Sequence, residues 1–284
     1  MEVISLHIDI ISRRTGRSAI QMAAYCSRDK LYSDYTGKAY DYTDCQDLVY
    51  HEIILPDYAP DTFRNSEVLW NSVEKIEKSK NARLARTVII ALPKELSNSS
   101  HIQMVRQYAQ EFFVQQGMCA DISIHDKGDG NPHAHILLTT RSLDRDGKWM
   151  CKQRKNYLLD KNGNRVRDSV TRQYKLGRSI KTTDWDEPER VEEWRKGWAR
   201  VCQSWFERCG VSKEITHISY ARQGLDREPT IHLGARVKAL EDRGLLTDRS
   251  KKNRDIKMRN HERDRLIFRE HMEKDRERGL ECDR

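Results

Sequence analysis

In the stretch His125-Asp126-Lys127-Gly128-Asp129-Gly130-Asn131-Pro132-His133-Ala134-His135, two strands meet across a turn. Asp121 to His125 alternates polar and apolar residues, as a strand with one wet face does. Gly128, Gly130, Asn131 and Pro132 are turn formers. His133 to Thr140 is then apolar enough for a central strand. Side chains two apart on a strand share a face, so His133 and His135 point the same way. The turn folds the first strand back beside the second, which can bring His125 to that face. A single strand histidine is more often a hydrogen-bonded core or surface residue than a ligand. An i, i+2 pair with a third just before the turn fits a metal site of three protein ligands, with coordination positions left open. Imidazole suits Zn, Ni, Cu and Mn alike, so ligand type alone does not choose the ion.

The rest of the chain sets the context. At 284 residues, 34% charged and 37% hydrophobic, it can hold one large domain with appendages, some of them solvated. There is no run of 18 apolar residues, so no membrane segment is expected. The first residues, Met1-Glu2-Val3-Ile4-Ser5, lack a basic region followed by an apolar one. The seven cysteines form no Cys-x-x-Cys pair. Both features fit reduced thiols in a cytoplasm. The net charge of +8 is concentrated: residues 141–182 carry 13 Lys and Arg against 4 Asp, a net of +9. A basic segment in the same chain as a metal site points to a polyanionic substrate, against the plainer reading of a solvated insertion.

In order, Val3 to Ile11 alternates, with Ile4, Leu6, Ile8 and Ile10 on one face. Ser18 can cap a helix over residues 19–28 that carries Tyr25 near its end. Leu31 to Thr43 reads as a hairpin around Gly37. A helix is expected from about Thr62 to Lys78 with Val68, Leu69, Val73 and Ile76 as its apolar stripe. Arg86 to Pro93 is a short buried strand. Ser97 or Ser100 opens a helix that Gly117 closes, with Met104, Val105, Tyr108, Phe112 and Phe113 facing in. The histidine strands follow. Beyond Arg141, Asn162-Gly163 signals a hairpin inside the basic segment. A long helix runs from about Pro188 to Cys209, and its tryptophans at helical spacing read as packing. A short strand at Ile215 to Ser219 and a charged, exposed or partly disordered helical tail end the chain, which can be an N-terminal piece of something longer. The pattern is α+β, with a mainly antiparallel central sheet flanked by helices.

Breaking a phosphodiester needs a nucleophile and neutralisation of charge on the non-bridging oxygens. A three-histidine metal site can hold those oxygens as a Lewis acid. Asp126 and Asp129 lie close enough in sequence to support the imidazoles. A bound water would suffice for hydrolysis, whereas a tyrosine would give a covalent phosphotyrosyl intermediate. Among 11 tyrosines, residue chemistry alone does not pick one.

His133-Ala134-His135 resembles the histidine–hydrophobic–histidine motif of the HUH endonucleases. The longer run from His125 to His135 is similar to conjugative relaxases of the MobA/MobL (MobQ) family. Ile10-Ile11-Ser12-Arg13 with Ser18-Ala19 and Ala23-Ala24-Tyr25 resembles that family's first motif. Ala82 to Arg86 leading into Ala91-Leu92-Pro93, Trp194-Arg195 with Trp198-Ala199, and Gln223 to His232 also fit it. The resemblance spans about residues 3–245. It implies Tyr25 as nucleophile and His125, His133 and His135 as metal ligands. The divalent ion stays open among Mn, Mg, Ni and Zn. The implied substrate is origin-of-transfer DNA, single-stranded and in duplex or hairpin form, with accessory mobilisation and coupling proteins as partners. It also implies a relaxase domain over 1–245, divided into a palm core (1–140), a basic insertion with a hairpin (141–186) and a helical, thumb-like closing region (187–245). A tail at 246–284 follows. Arg13, Arg17, Arg86, Lys148, Lys152, Arg154, Lys155, Arg165, Arg167 and Arg172 are the candidate DNA contacts. One departure stands out: the family places an acidic residue after the arginine that Arg86 matches, and this chain has Thr87. Asp9 or Asp126 could fill that role. The expected activity is strand-specific nicking and re-ligation of DNA. Its rivals are a three-histidine metallohydrolase that uses bound water and a non-enzymatic DNA-binding regulator.

Overall fold

The computed structural model describes residues 2–231, 233, 237, 240–241 and 243–282, with side chains in the last helix as far as 266 apart from 264. His232 lies outside the described residues. The strands are β1 (Glu2–Val3), β2 (Leu6–Ser12), β3 (Lys30–Ser33), β4 (Lys38–Asp41), β5 (Leu48–Ile54), β6 (Arg83–Ala91), β7 (Ala120–His125), β8 (His133–Thr139), β9 (Gln153–Arg154), β10 (Ile180–Lys181) and β11 (Ile215–Thr216). The helices are α1 (Ala19–Ser27), α2 (Ser66–Ile76), α3 (Asn98–Phe112), α4 (Pro188–Arg208) and α5 (Asp248–Cys282). Contacts divide the chain into two compact units, 1–217 and 218–284, and the expected boundary at 245/246 falls within the second.

Five strands form one sheet in the order β2-β6-β8-β7-β5, and every neighbouring pair is antiparallel. Its register places His125 opposite His133, Ser123 opposite His135, and Asp9 opposite Thr87. The edge strand β5 is absent from the sequence reading. Leu48, Val49, Tyr50, His51 and Glu52 are all half-buried, so they carry no clean alternation.

The sheet's two faces are covered differently. On one, Val88, Ile90, Ile122, Ile124, Ala134, Ile136 and Leu138 pack against Met104, Tyr108 and Phe113 of α3 and Trp194, Trp198 and Phe206 of α4. The α4 tryptophans are therefore core, as their spacing predicts. Gly197 permits the close crossing: a Cβ there would lie 2.3 Å from Phe112 Cε1. On the other face, α1 and α2 cover only one end, over Ile11, Ile53, Ala85 and Leu137. Ile11 is fully buried for that reason, although it has the parity of the polar residues His7 and Asp9. The histidines occupy the remainder of this face.

The buried side of α2 differs from the expected stripe. Leu69, Trp70 and Val73 face in, while Val68 and Ile76 are exposed. Two buried glutamates, Glu74 and Glu77, complete that side. Glu74 Oε1 accepts from Ser18 Oγ at 2.8 Å and from Ala19 N at 2.7 Å. A carboxylate there meets the unpaired N–H groups and positive dipole end of α1, which fixes that helix against the sheet. Glu77 pairs with Arg141 and Lys152 at 2.7 Å each, anchoring the root of the basic segment. Further out, β9 pairs with β10, and bridges join Tyr157 to Leu176 and Arg167 to Tyr174. Among the described residues, no helix is long and apolar enough to cross a membrane.

Candidate functional site

The site forms where the C-terminal end of α1 meets the open part of the sheet. The ring centroids of His125, His133 and His135 lie 4.8–5.5 Å apart. One ligand atom from each falls within 4.8 Å of the others. The turn between the strands is made by Gly128 and Gly130, both at positive φ, 71° and 74°. The Oδ1 atoms of Asp126 and Asp129 accept from Gly128 N and Asn131 N within the turn. They brace the loop in this way.

Main-chain carbonyls support two of the imidazoles. His125 Nε2 lies 2.6 Å from Cys26 O, and His133 Nδ1 lies 2.9 Å from Asn131 O. A carbonyl only accepts, so those two nitrogens carry the protons. The lone pairs are left on His125 Nδ1 and His133 Nε2. Both ring nitrogens of His135 are buried without a hydrogen-bond partner, and so is the Oγ of Ser123, its cross-strand neighbour. Orphaned buried polar atoms are uncommon in folded proteins. Their presence beside two further imidazoles fits a bound divalent ion and the ligands it carries. Burial chiefly holds His135 down to about 3, with the neighbouring imidazoles adding to it. Burial also holds His125 down to about 4, against the pull of the Cys26 carbonyl. Both rings are thus neutral near pH 7 and already in ligand form.

Tyr25 is half-buried in the last turns of α1 and faces this cluster. Its ring is edge-on to His135 with centroids 5.8 Å apart, and 6.3 Å from His125. Tyr42 meets it edge-on at 5.6 Å. Arg28, at the C-cap of α1, lies 4.3 Å over the Tyr25 ring and 3.2 Å from His125 Nδ1. Asp47 holds that guanidinium through Nε at 2.7 Å and Nη2 at 3.0 Å. The hydrogen bond from Arg28 holds the Asp47 carboxyl down to about 2. Neither Arg28 nor Asp47 figures in the sequence reading. Arg28 had a signal, since it lies one helical turn from Tyr25. Asp47 had none, because it arrives from a loop that only the fold brings near.

The ten candidate DNA contacts separate by location. Arg86 is 4% exposed on the opposite face of the sheet, where it meets Asp186 at 2.5 Å and the Trp194 ring at 5.1 Å. Arg13 donates to the carbonyls of Glu74, Glu77 and Ser79 at the end of α2. Lys152 is taken up by Glu77 and Arg83 O. All three are held by partners within the fold, although Arg13 Nε and Arg86 Nη1 are buried without a hydrogen-bond partner. Arg17 pairs with Asp9, whose carboxyl is held low by that guanidinium and by Ile10 N–H, which outweigh its partial burial. Lys148, Arg154, Lys155, Arg165, Arg167 and Arg172 are exposed. Arg165 lies 4.2 Å over Tyr157, and Arg167 lies 4.4 Å over Tyr174.

The MobA/MobL family profile matches residues 17–243. The chain is 33% identical over 274 residues to the probable mobilization protein MobA of Bifidobacterium longum (strain NCC 2705), covering 92% of this chain and 48% of that protein. It is 35% identical over 250 residues to the conjugal transfer protein TraA of Agrobacterium fabrum (strain C58 / ATCC 33970), covering 84% and 22% respectively. It thus spans about half the length of the first relative and about a fifth of the second. A solved structure described as the molecular basis of vancomycin resistance transfer in Staphylococcus aureus aligns with a TM-score of 0.65 at 30% identity. The alignment covers 77% of this chain and all of that one.

Proposed function

The chain belongs to the MobA/MobL family, and on that premise we propose that it nicks and re-ligates one strand of DNA at an origin of transfer. Tyr25 is the nucleophile. The observation that carries this reading is the placement of Tyr25 against His125 and His135, both neutral through burial, within a cluster of three convergent imidazoles. His125, His133 and His135 would hold a divalent ion, which when bound supplies Lewis-acid neutralisation of the non-bridging phosphate oxygens.

The residues of the chain do the remaining work. Tyr25 Oη forms a bond to phosphorus in line with the bond to the 3′-oxygen, which breaks as the new bond forms. The phenolic proton is lost to a base, and the departing 3′-oxygen gains one. The products are a 5′-phosphotyrosyl strand and a free 3′-hydroxyl, so the ester energy is kept for the reverse reaction. Asp9 is directly across the sheet from Thr87, one strand away from the position where the family places its carboxylate. The exposed cations of 148–172 supply contacts to DNA phosphates, single-stranded or in the duplex or hairpin arm. On this reading 1–245 works as the relaxase domain, and accessory mobilisation and coupling proteins join it on the DNA.

The test is incubation of the chain and Mn2+ with labelled single-stranded oligonucleotides tiling the transfer origin of the element that encodes it. A denaturation-resistant adduct at Tyr25, located by mass spectrometry, is the expected result. Nicking without an adduct would favour hydrolysis by bound water. Metal-independent DNA binding with no nicking would mark a regulator.

A further inference from the structure

Arg28 sits in the left-handed region, with φ 56° and ψ 36°, where a helix end usually places glycine. A side chain there costs about 1 kcal/mol or more of backbone strain. The guanidinium accounts for its presence. Nε and Nη2 are held by Asp47, and Nη1 donates to Tyr25 O at 2.6 Å. Nη2 also reaches His125 Nδ1 at 3.2 Å, while Cζ lies 4.3 Å from the centre of the Tyr25 ring. Both members of the Arg28–Asp47 pair are less than a tenth exposed. One buried fork therefore ties the nucleophile's helix, the loop before β5 and a metal-binding histidine together.

The hydrogen bonds of His125 add a constraint. Its Nε2 proton is given to Cys26 O, so Nδ1 holds the ring's only lone pair. Arg28 Nη2 takes up that same electron pair. We propose that Arg28 is a positioning residue that seats Tyr25 against the histidines and competes with the metal for His125 Nδ1. The two roles have opposite signs. Loss of the guanidinium frees a ligand atom and removes a positive charge next to the metal, so metal binds more tightly. The same loss releases the Tyr25 ring and the end of α1, so attack on the phosphate slows.

The positioning half rests on the reading of Tyr25 as nucleophile, and the competition half does not. The experiment uses the full chain, with Arg28→Gly to relieve the backbone and Arg28→Gly/Asp47→Asn to remove the buried charge left behind. Mn2+ affinity is measured by calorimetry without DNA, and Tyr25 adduct formation is timed at saturating Mn2+. Both variants should bind Mn2+ about 3- to 10-fold more tightly and form adduct about tenfold more slowly or worse. Arg28→Lys, which keeps the charge without the fork, should recover part of the rate. Weaker or unchanged Mn2+ binding in both variants overturns the competition. Unchanged adduct rates overturn the positioning role. A parent that forms no Tyr25 adduct sinks the nicking reading together with the positioning half, and the Mn2+ titration still decides whether Arg28 holds His125 Nδ1.

Discussion

The Tyr25 phenol ring stands at 90° to the His135 imidazole, with centroids 5.8 Å apart. The contact joins a helix capped by Glu74 at its other end to the central strand of the sheet. Its geometry uses the ring rather than the hydroxyl, so Tyr25→Phe keeps the packing and removes only Oη. The variant should keep parental Mn2+ affinity and melting temperature while losing the covalent adduct entirely. Adduct yield on labelled oligonucleotides, followed beside calorimetry, checks this. An undiminished adduct in Tyr25→Phe would move the nucleophile elsewhere.

The unpartnered nitrogens of His135 make this residue the one most dependent on a bound ion. Mn2+ at 100 times its Kd should stabilise the chain by about 2.7 kcal/mol. Chelator should reverse the gain. His135→Ala should abolish the metal-dependent part of the melting shift. A shift of equal size in the variant would place the ion away from these three rings.

The histidines also set the response to acid, and the signs differ. His125 and His135, held down mainly by burial, stay neutral in the fold to about pH 4 and 3, while in the unfolded chain they protonate near pH 6.5. Between those values the unfolded chain binds more protons, so stability falls as pH drops from 6.5. His51 runs the other way. Burial alone would lower its pKa, but the hydrogen bond and charge of Asp121 raise it. Its contribution is therefore full below pH 6.5 and lost as pH rises through the raised value. In chelator, the denaturation midpoint should fall between pH 7 and pH 5, and His51→Gln should steepen that fall. The limit is about 1.4 kcal/mol per pH unit for each buried histidine. A flat profile in both proteins would show that these rings are not buried in the neutral form.

Much of this arrangement is legible in the sequence, and the remainder is missing for identifiable physical reasons. Parity along two strands is a local property, so it placed His125, His133 and His135 together. Helical spacing likewise gave the buried faces of α3 and α4. Strand β5 and the inward side of α2 were not legible, because burial on both sides of an edge strand and buried glutamates both break a simple apolar pattern. Asp47, Ser123 and the commitment of Arg86 to Asp186 depend on partners remote in sequence. No local pattern reports them.

The exposed cations of the basic segment should show in salt dependence. Arg154, Lys155 and Arg172 are solvent-exposed, unlike Arg13, Lys152 and Arg86. Each one that contacts a phosphate should flatten the slope of log K against log salt by about 0.7 on single-stranded DNA when replaced by Ala. Replacing Arg86 should instead lower the melting temperature, because it leaves a buried space beside Trp194 and removes one of the two arginines that pair with Asp186. Fluorescence anisotropy at several salt concentrations, with melting curves alongside, separates the two classes. An unchanged slope in the triple variant would move the DNA path off this segment.

Gly197 gives the sharpest test of the packed layer behind the sheet. An added Cβ would lie 2.3 Å from Phe112 Cε1 and 2.4 Å from Cζ, well inside contact distance. The half-buried Phe112 ring must move to relieve this, and in moving it disturbs its packing on Tyr108, with centroids 5.2 Å apart, and its contact under Arg200 at 5.3 Å. Two effects oppose each other in Gly197→Ala. Helix propensity favours Ala by about 1 kcal/mol, while overpacking costs about 1–3 kcal/mol. The clash is severe enough to place this site toward the upper end, so the variant should be destabilised by about 1–2 kcal/mol. Phe112→Leu in the same chain should recover part of the loss, because the two residues share one space and their effects are not additive. Chemical denaturation of the two single variants and the double variant measures that coupling. A stabilised Gly197→Ala, or strict additivity, would mean that α3 and α4 do not cross as closely as Gly197 allows.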